Sequence, residues 1–176
     1  MLKEHTVSFM NLIKIQKYSR MTEPESQPQL NEHNKQEYPP MHTAEHILNQ
    51  TMVRMFGCKR AVNAHIERKK SKCDYELPQP PTEQQIQEIE NKVNEIIAQD
   101  LPVWIEYTTQ EEARQRFDLT RLPQNATETL RIVHVGEYDA CPCAGLHVER
   151  TAQIGRFAIA SSQYNHPLFR IRFRLL

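Results

Sequence analysis

HTAEH at residues 42–46 and CAGLH at residues 143–147 are two couplets of metal-ligating side chains, about a hundred residues apart in a chain of 176. Each sets its two ligands four positions apart, so a helical turn or a tight loop can aim both at one ion. His42, His46, Cys143 and His147 together offer three nitrogens and one sulfur, a donor set suited to Zn2+. The later couplet lies in DACPCAGLHV, where Pro142 and Gly145 predict an irregular loop. Cys141 reads there as a buried thiol or one standing behind the ligands.

Outward from the first couplet, MHTAEHILNQTMVRMFG (41–57) carries Ile47, Leu48, Met52, Val53, Met55 and Phe56 at helical spacing and closes on Gly57. His42 and His46 therefore share one face of a helix. Residues 61–77 hold Val62, Ile66, Tyr75 and Leu77 without helical period, which fits a hairpin of modest strands. Thr82 caps a second helix striped by Ile86, Ile89, Val93, Ile96 and Ile97, and Pro102 marks its end. VWIEY (103–107) reads as a strand, Glu111 to Phe117 as a short helix and LRIVHV (130–135) as a buried strand. In PLFRIRFRLL, Ile171, Phe173 and Leu175 point inward while Arg170, Arg172 and Arg174 point outward. Helices and mostly antiparallel strands in this order predict an α+β fold.

Residues 21–40, MTEPESQPQLNEHNKQEYPP, carry almost no aliphatic side chains and cannot bury enough surface to offset ordering entropy. Residues 1–40 thus read as a flexible arm or upstream extension, with Met21 a second candidate start, and residues 41–176 as one domain. Lys plus Arg equals Asp plus Glu, 22 against 22, so overall charge does not point to a polyanionic partner. Local clustering must supply any nucleic-acid surface. The candidates are Lys59, Arg60, Arg68, Lys69 and Lys70, and the strand face of Arg170, Arg172 and Arg174. Four cysteines without a secretory pattern suggest reduced thiols and a cytoplasmic protein. No segment has the length to span a membrane, and nothing selects monomer over homodimer.

The two couplets, with His147-Val148, Thr151 and Ile154-Gly155 following, resemble the editing domain shared by alanyl- and threonyl-tRNA synthetases and its free-standing AlaX-type form. The likeness runs from about His42 to the C-terminus. It implies that editing-domain fold, a mostly antiparallel sheet packed with a few helices. It also implies zinc at His42, His46, Cys143 and His147, with hydrolysis of mischarged tRNA in trans, most simply Ser- or Gly-tRNA(Ala). The loop commonly reads CGGTH in the family; Ala144 and Leu146 here replace a Gly and a Thr. Where relatives place a polar residue near the substrate this chain has AVNAHIER, so Asn63 and His65 are catalytic candidates. Two other classes compete. HxxEH is also an inverted zinc-protease signature, with Glu45 as general base. The third reading is a non-catalytic tRNA-binding module with structural zinc.

Overall fold

The computed structural model describes residues 38–119 and 127–176. Helix α1 (Pro39–Phe56) starts on Pro39 and Pro40, whose fixed φ is already helical and whose missing N–H groups have no partner in a first turn. Pro39 and Pro40 of the expected arm are thus helical, and residues 1–37 of it lie outside the described residues. Gly57 ends α1 at φ 63°, its N–H donating to the Val53 carbonyl, a left-handed cap that glycine adopts without a Cβ penalty. Met41, Ala44, Ile47, Leu48 and Met52 bury one side of the helix.

Helix α2 (Glu83–Ala98) opens on a reciprocal cap: the Thr82 hydroxyl accepts from the Gln85 N–H, and the Gln85 side chain accepts from the Thr82 N–H. Its Ile89, Val93, Ile96 and Ile97 are buried. The helix stops at Ala98, ahead of Pro102, where Asp100 takes φ 50° and turns the chain.

Two antiparallel sheets complete the fold. Strands β1 (Asn63–His65), β2 (Ser71–Glu76), β6 (Phe157–Asn165) and β7 (Leu168–Leu175) form the larger one in the order β1-β2-β7-β6. The expected hairpin is β1 with β2. On β7, Phe169, Ile171 and Phe173 are buried while the arginines lie on the other face. Cys73, Tyr75 and Phe157 join them against α1 and α2 in the main core. Strands β3 (Val103–Thr109), β4 (Thr129–Val135) and β5 (Asp139–Pro142) form the smaller sheet in that order. Helix α3 (Gln110–Arg114) packs on one of its faces through Ala113, Leu130 and Ile132, with Phe117 and Leu119 alongside. No described helix is long and apolar enough to cross a membrane.

The fold class is α+β as expected, but one strand departs from the reading and another lies in a stretch it left unassigned. Residues 139–142, read as loop, pair with β4 in the register Val133↔Cys141 and Ile132↔Pro142. A proline is tolerated there because β5 is an edge strand and its missing N–H faces no neighbour. Strand β6 carries a polar run, Ser161-Ser162-Gln163, which hides its period; pairing with the apolar β7 orders it.

Candidate metal centre

Helix α1 and the smaller sheet supply the site from opposite sides. On α1, His42 and His46 lie one turn apart, and the apolar stripe that buries the helix fixes which way they face. Strand alternation puts Asp139, Cys141 and Cys143 on one face of β5 and its extension, since the Cys143 N–H still donates to Arg131 O at 3.0 Å. Beyond Cys143 the chain swings so that His147 closes the group. Arg131 holds that loop, donating from Nη1 to the carbonyls of Cys143 at 2.6 Å and Gly145 at 2.9 Å.

One donor atom from each of His42, His46, Cys143 and His147 lies within 4.8 Å of all the others. Cys143 Sγ is 3.4 Å from His42 Nε2 and 3.4 Å from His147 Nε2. Tetrahedral zinc with Zn–N near 2.0 Å and Zn–S near 2.3 Å separates its donors by about 3.3–3.7 Å. The four side chains fit that ion.

Their surroundings orient them for it. The Thr43 hydroxyl donates to Pro39 O at 3.0 Å and accepts from the Val148 N–H at 3.2 Å. With its one proton used, its 3.1 Å contact with His147 Nδ1 makes that nitrogen the donor. His147 Nε2 is then left unprotonated toward Cys143. His46 is oriented by Asp139, whose Oδ2 lies 3.2 Å from Nδ1, the carboxylate-to-imidazole arrangement found behind metal-bound histidines. Cys141 Sγ is 3.5 Å from the same nitrogen. Arg60 forks onto Asp139 at 2.7 and 3.2 Å.

The electrostatics favour a cation at the centre. Burial pushes the Cys143 thiol up, but its contacts with the His147, His42 and His46 rings outweigh it and bring the group down to about 2, a thiolate. Burial dominates at His147 and lowers it to about 4. At His42 and His46, burial is overcome by the thiols, and at His46 also by Asp139, so both rise above the ordinary histidine value. Asp139 is buried yet held down to about 2 by His46 and Arg60. A thiolate thus sits among three imidazoles, a negative centre that suits a divalent ion, whose binding displaces any proton held on the ligating nitrogens.

A cavity of about 340 Å³ opens beside His42, His46 and Cys143, lined also by Glu45, Asn49, Arg60 and Asp118. Glu45 thus stands at the site, its carboxylate buried and accepting from the Asn49 side chain. Asn63 and His65 do not line it; they sit on the partly exposed β1, where His65 pairs with Glu67 at 2.6 Å. Among the RNA candidates, Arg60 and Arg170 depart from the reading as free surface cations. Arg60 is taken by Asp139, and Arg170 forks onto buried Asp74 at 2.6 and 2.7 Å. Lys59, Arg68, Lys69, Lys70 and Arg174 are exposed and Arg172 is half-buried. Sequence reading missed Asp139, Thr43 and Arg131. The period-two run Asp139-x-Cys141-x-Cys143 was the available signal for the first, masked by Pro142 between the thiols.

Residues 130–171 match the family described as the threonyl and alanyl tRNA synthetase second additional domain. Alanine–tRNA ligase of Treponema denticola is 32% identical over 123 residues, 69% of this chain and 20% of that protein. The Coxiella burnetii ligase is 31% identical over 122 residues, 68% of this chain and 14% of its own length. The Halorubrum lacusprofundi ligase is 31% identical over 131 residues, 69% and 14% respectively. The chain spans a fifth or less of these relatives.

Proposed function

This chain carries an editing-type domain of the alanyl- and threonyl-tRNA synthetase family, and from that premise we propose that it hydrolyses the ester of mischarged tRNA, Ser- or Gly-tRNA(Ala), acting in trans. The observation that carries the reading is the convergence of His42, His46, Cys143 and His147 at the wall of a polar cavity. Zinc held by those four side chains would supply Lewis acidity toward an ester carbonyl and activation of water. The chain's own groups set the stage. Asp139 and Thr43 hold protons at the Nδ1 atoms of His46 and His147, which keeps each Nε2 turned to the centre. Arg131 fixes the loop between Cys143 and His147. Glu45 and Asn49 add a buried carboxylate and amide to the cavity wall beside His46.

A structural-zinc reading has one observation in its favour: four protein donors are enough to fill a tetrahedral site. Purified full chain with bound zinc, assayed against a panel of mischarged tRNAs, separates the two. Release of serine or glycine with correctly charged Ala-tRNA(Ala) spared supports the deacylase; intact esters across the panel leave the structural reading standing.

A further inference from the structure

Glu45 is a buried carboxylate whose Oε1 accepts from Asn49. It is 8% exposed and belongs to the cavity wall. Asn49 Oδ1 accepts from the Ala61 N–H at 2.8 Å, so its amide nitrogen must face Glu45, where it donates to Oε1. That donation holds the carboxylate in place as an acceptor. Arg60 and His42 attract Glu45 through space, but neither forms a contact ion pair with it among the described residues: the Arg60 guanidinium is forked onto Asp139. A buried carboxylate with no cation in hydrogen-bond contact is ready to take one from a ligand that enters the space beside it. The cavity is where that space lies, and Glu45 precedes the metal-facing His46 by one residue.

We propose that the Glu45 carboxylate is the ammonium subsite of this cavity: it binds the free α-amino group of an aminoacyl ester and so rejects esters whose nitrogen is acylated. The inference rests on the deacylase reading and names what that site demands of its substrate. With the ester at the four-ligand centre, the α-carbon needs only to bridge the neighbouring wall for its ammonium to reach Glu45. An N-acyl substrate offers no charge and adds bulk on the same side. N-blocked aminoacyl-tRNAs and internal peptide bonds are thereby excluded, which also separates this HxxEH from an endopeptidase, whose substrates carry an acylated nitrogen on the scissile residue.

The test uses the zinc-loaded full chain and two probes that cannot be hydrolysed, 3′-deoxy-3′-(L-serylamino)adenosine and its N-acetyl derivative, with binding read by calorimetry. The wild-type chain should bind the free amine roughly tenfold or more tighter, as a charge-assisted hydrogen bond implies. Glu45→Gln should keep its zinc and bring the two probes level. The wild-type comparison does not depend on a variant folding. Equal binding of both probes by the wild type, or an undiminished preference in Glu45→Gln, overturns the subsite while leaving the deacylase reading intact. Failure to bind either probe, with mischarged tRNA also left uncleaved, overturns the deacylase reading and the subsite with it.

Discussion

Asp139 keeps a carboxylate almost out of water between an imidazole and a guanidinium, and both neighbours depend on it. Removing its charge leaves Arg60 buried without its partner and frees His46 to rotate, so Asp139→Asn should weaken zinc binding roughly 10–100-fold. Competition against a chelating dye measures this; unchanged affinity would mean that the pair serves only the fold. Asp74 is the same device without a metal. Its carboxyl is held below the ordinary carboxylate value by the Arg170 fork, against the opposing effect of burial. A depressed acid contributes stability above its unfolded-state pKa, and that contribution is lost as pH falls through the native one. Asp74→Asn should therefore be less stable than the wild type at neutral pH, with the gap narrowing below about pH 4. Urea melts at pH 7 and pH 3 test the sign.

Strand β4 works as a bracket at the scale of elements. Its backbone pairs with β3 and β5, while the Arg131 side chain reaches along the sheet to carry the turn between Cys143 and His147. Arg131→Ala strips two carbonyls of a charged donor and should cost about 1–3 kcal/mol, read in urea melts, with weaker zinc binding at the same time. A loss of stability with unchanged zinc affinity would assign Arg131 to the sheet alone. Sequence made α1 and α2 legible because each has a strong apolar stripe and a recognisable end, Gly57 in one and the Thr82 cap in the other. Strand β7 was legible for the same reason at period two. What escaped was decided by partners: β6 is ordered by pairing with β7, and β5 exists because β4 lies beside it. The metal couplets stand out because their spacing is local. Asp139 does not, since its partner His46 lies on a helix about ninety residues away, and Arg131 does not, since it acts on backbone carbonyls of the loop after β5 that no side-chain pattern marks.

Over the whole molecule, zero net charge means that contact with a polyanion has to come from cations without an internal partner. Folding removes two of the eight basic candidates, Arg60 to Asp139 and Arg170 to Asp74. Both pairs involve buried carboxylates, so drawing either guanidinium to a phosphate breaks a buried ion pair. Arg172 and Arg174 remain on the outer face of the larger sheet, with Lys72 opposite Arg172 in the β2–β7 register. Arg68, Lys69 and Lys70 lie on the turn that leads into β2. If this continuous strip neutralises phosphates, tRNA affinity falls steeply with added salt, and Arg172→Ala lowers the slope of log K against log salt by roughly one unit. Zinc content and melting temperature should hold. Arg170→Ala should behave in the opposite way, lowering stability through the orphaned Asp74 while leaving the salt slope near its wild-type value. Measuring both variants across 50–300 mM salt, roughly the range over which phosphate contacts dominate, decides between them: a wild-type slope in Arg172→Ala removes the outer face as the tRNA surface.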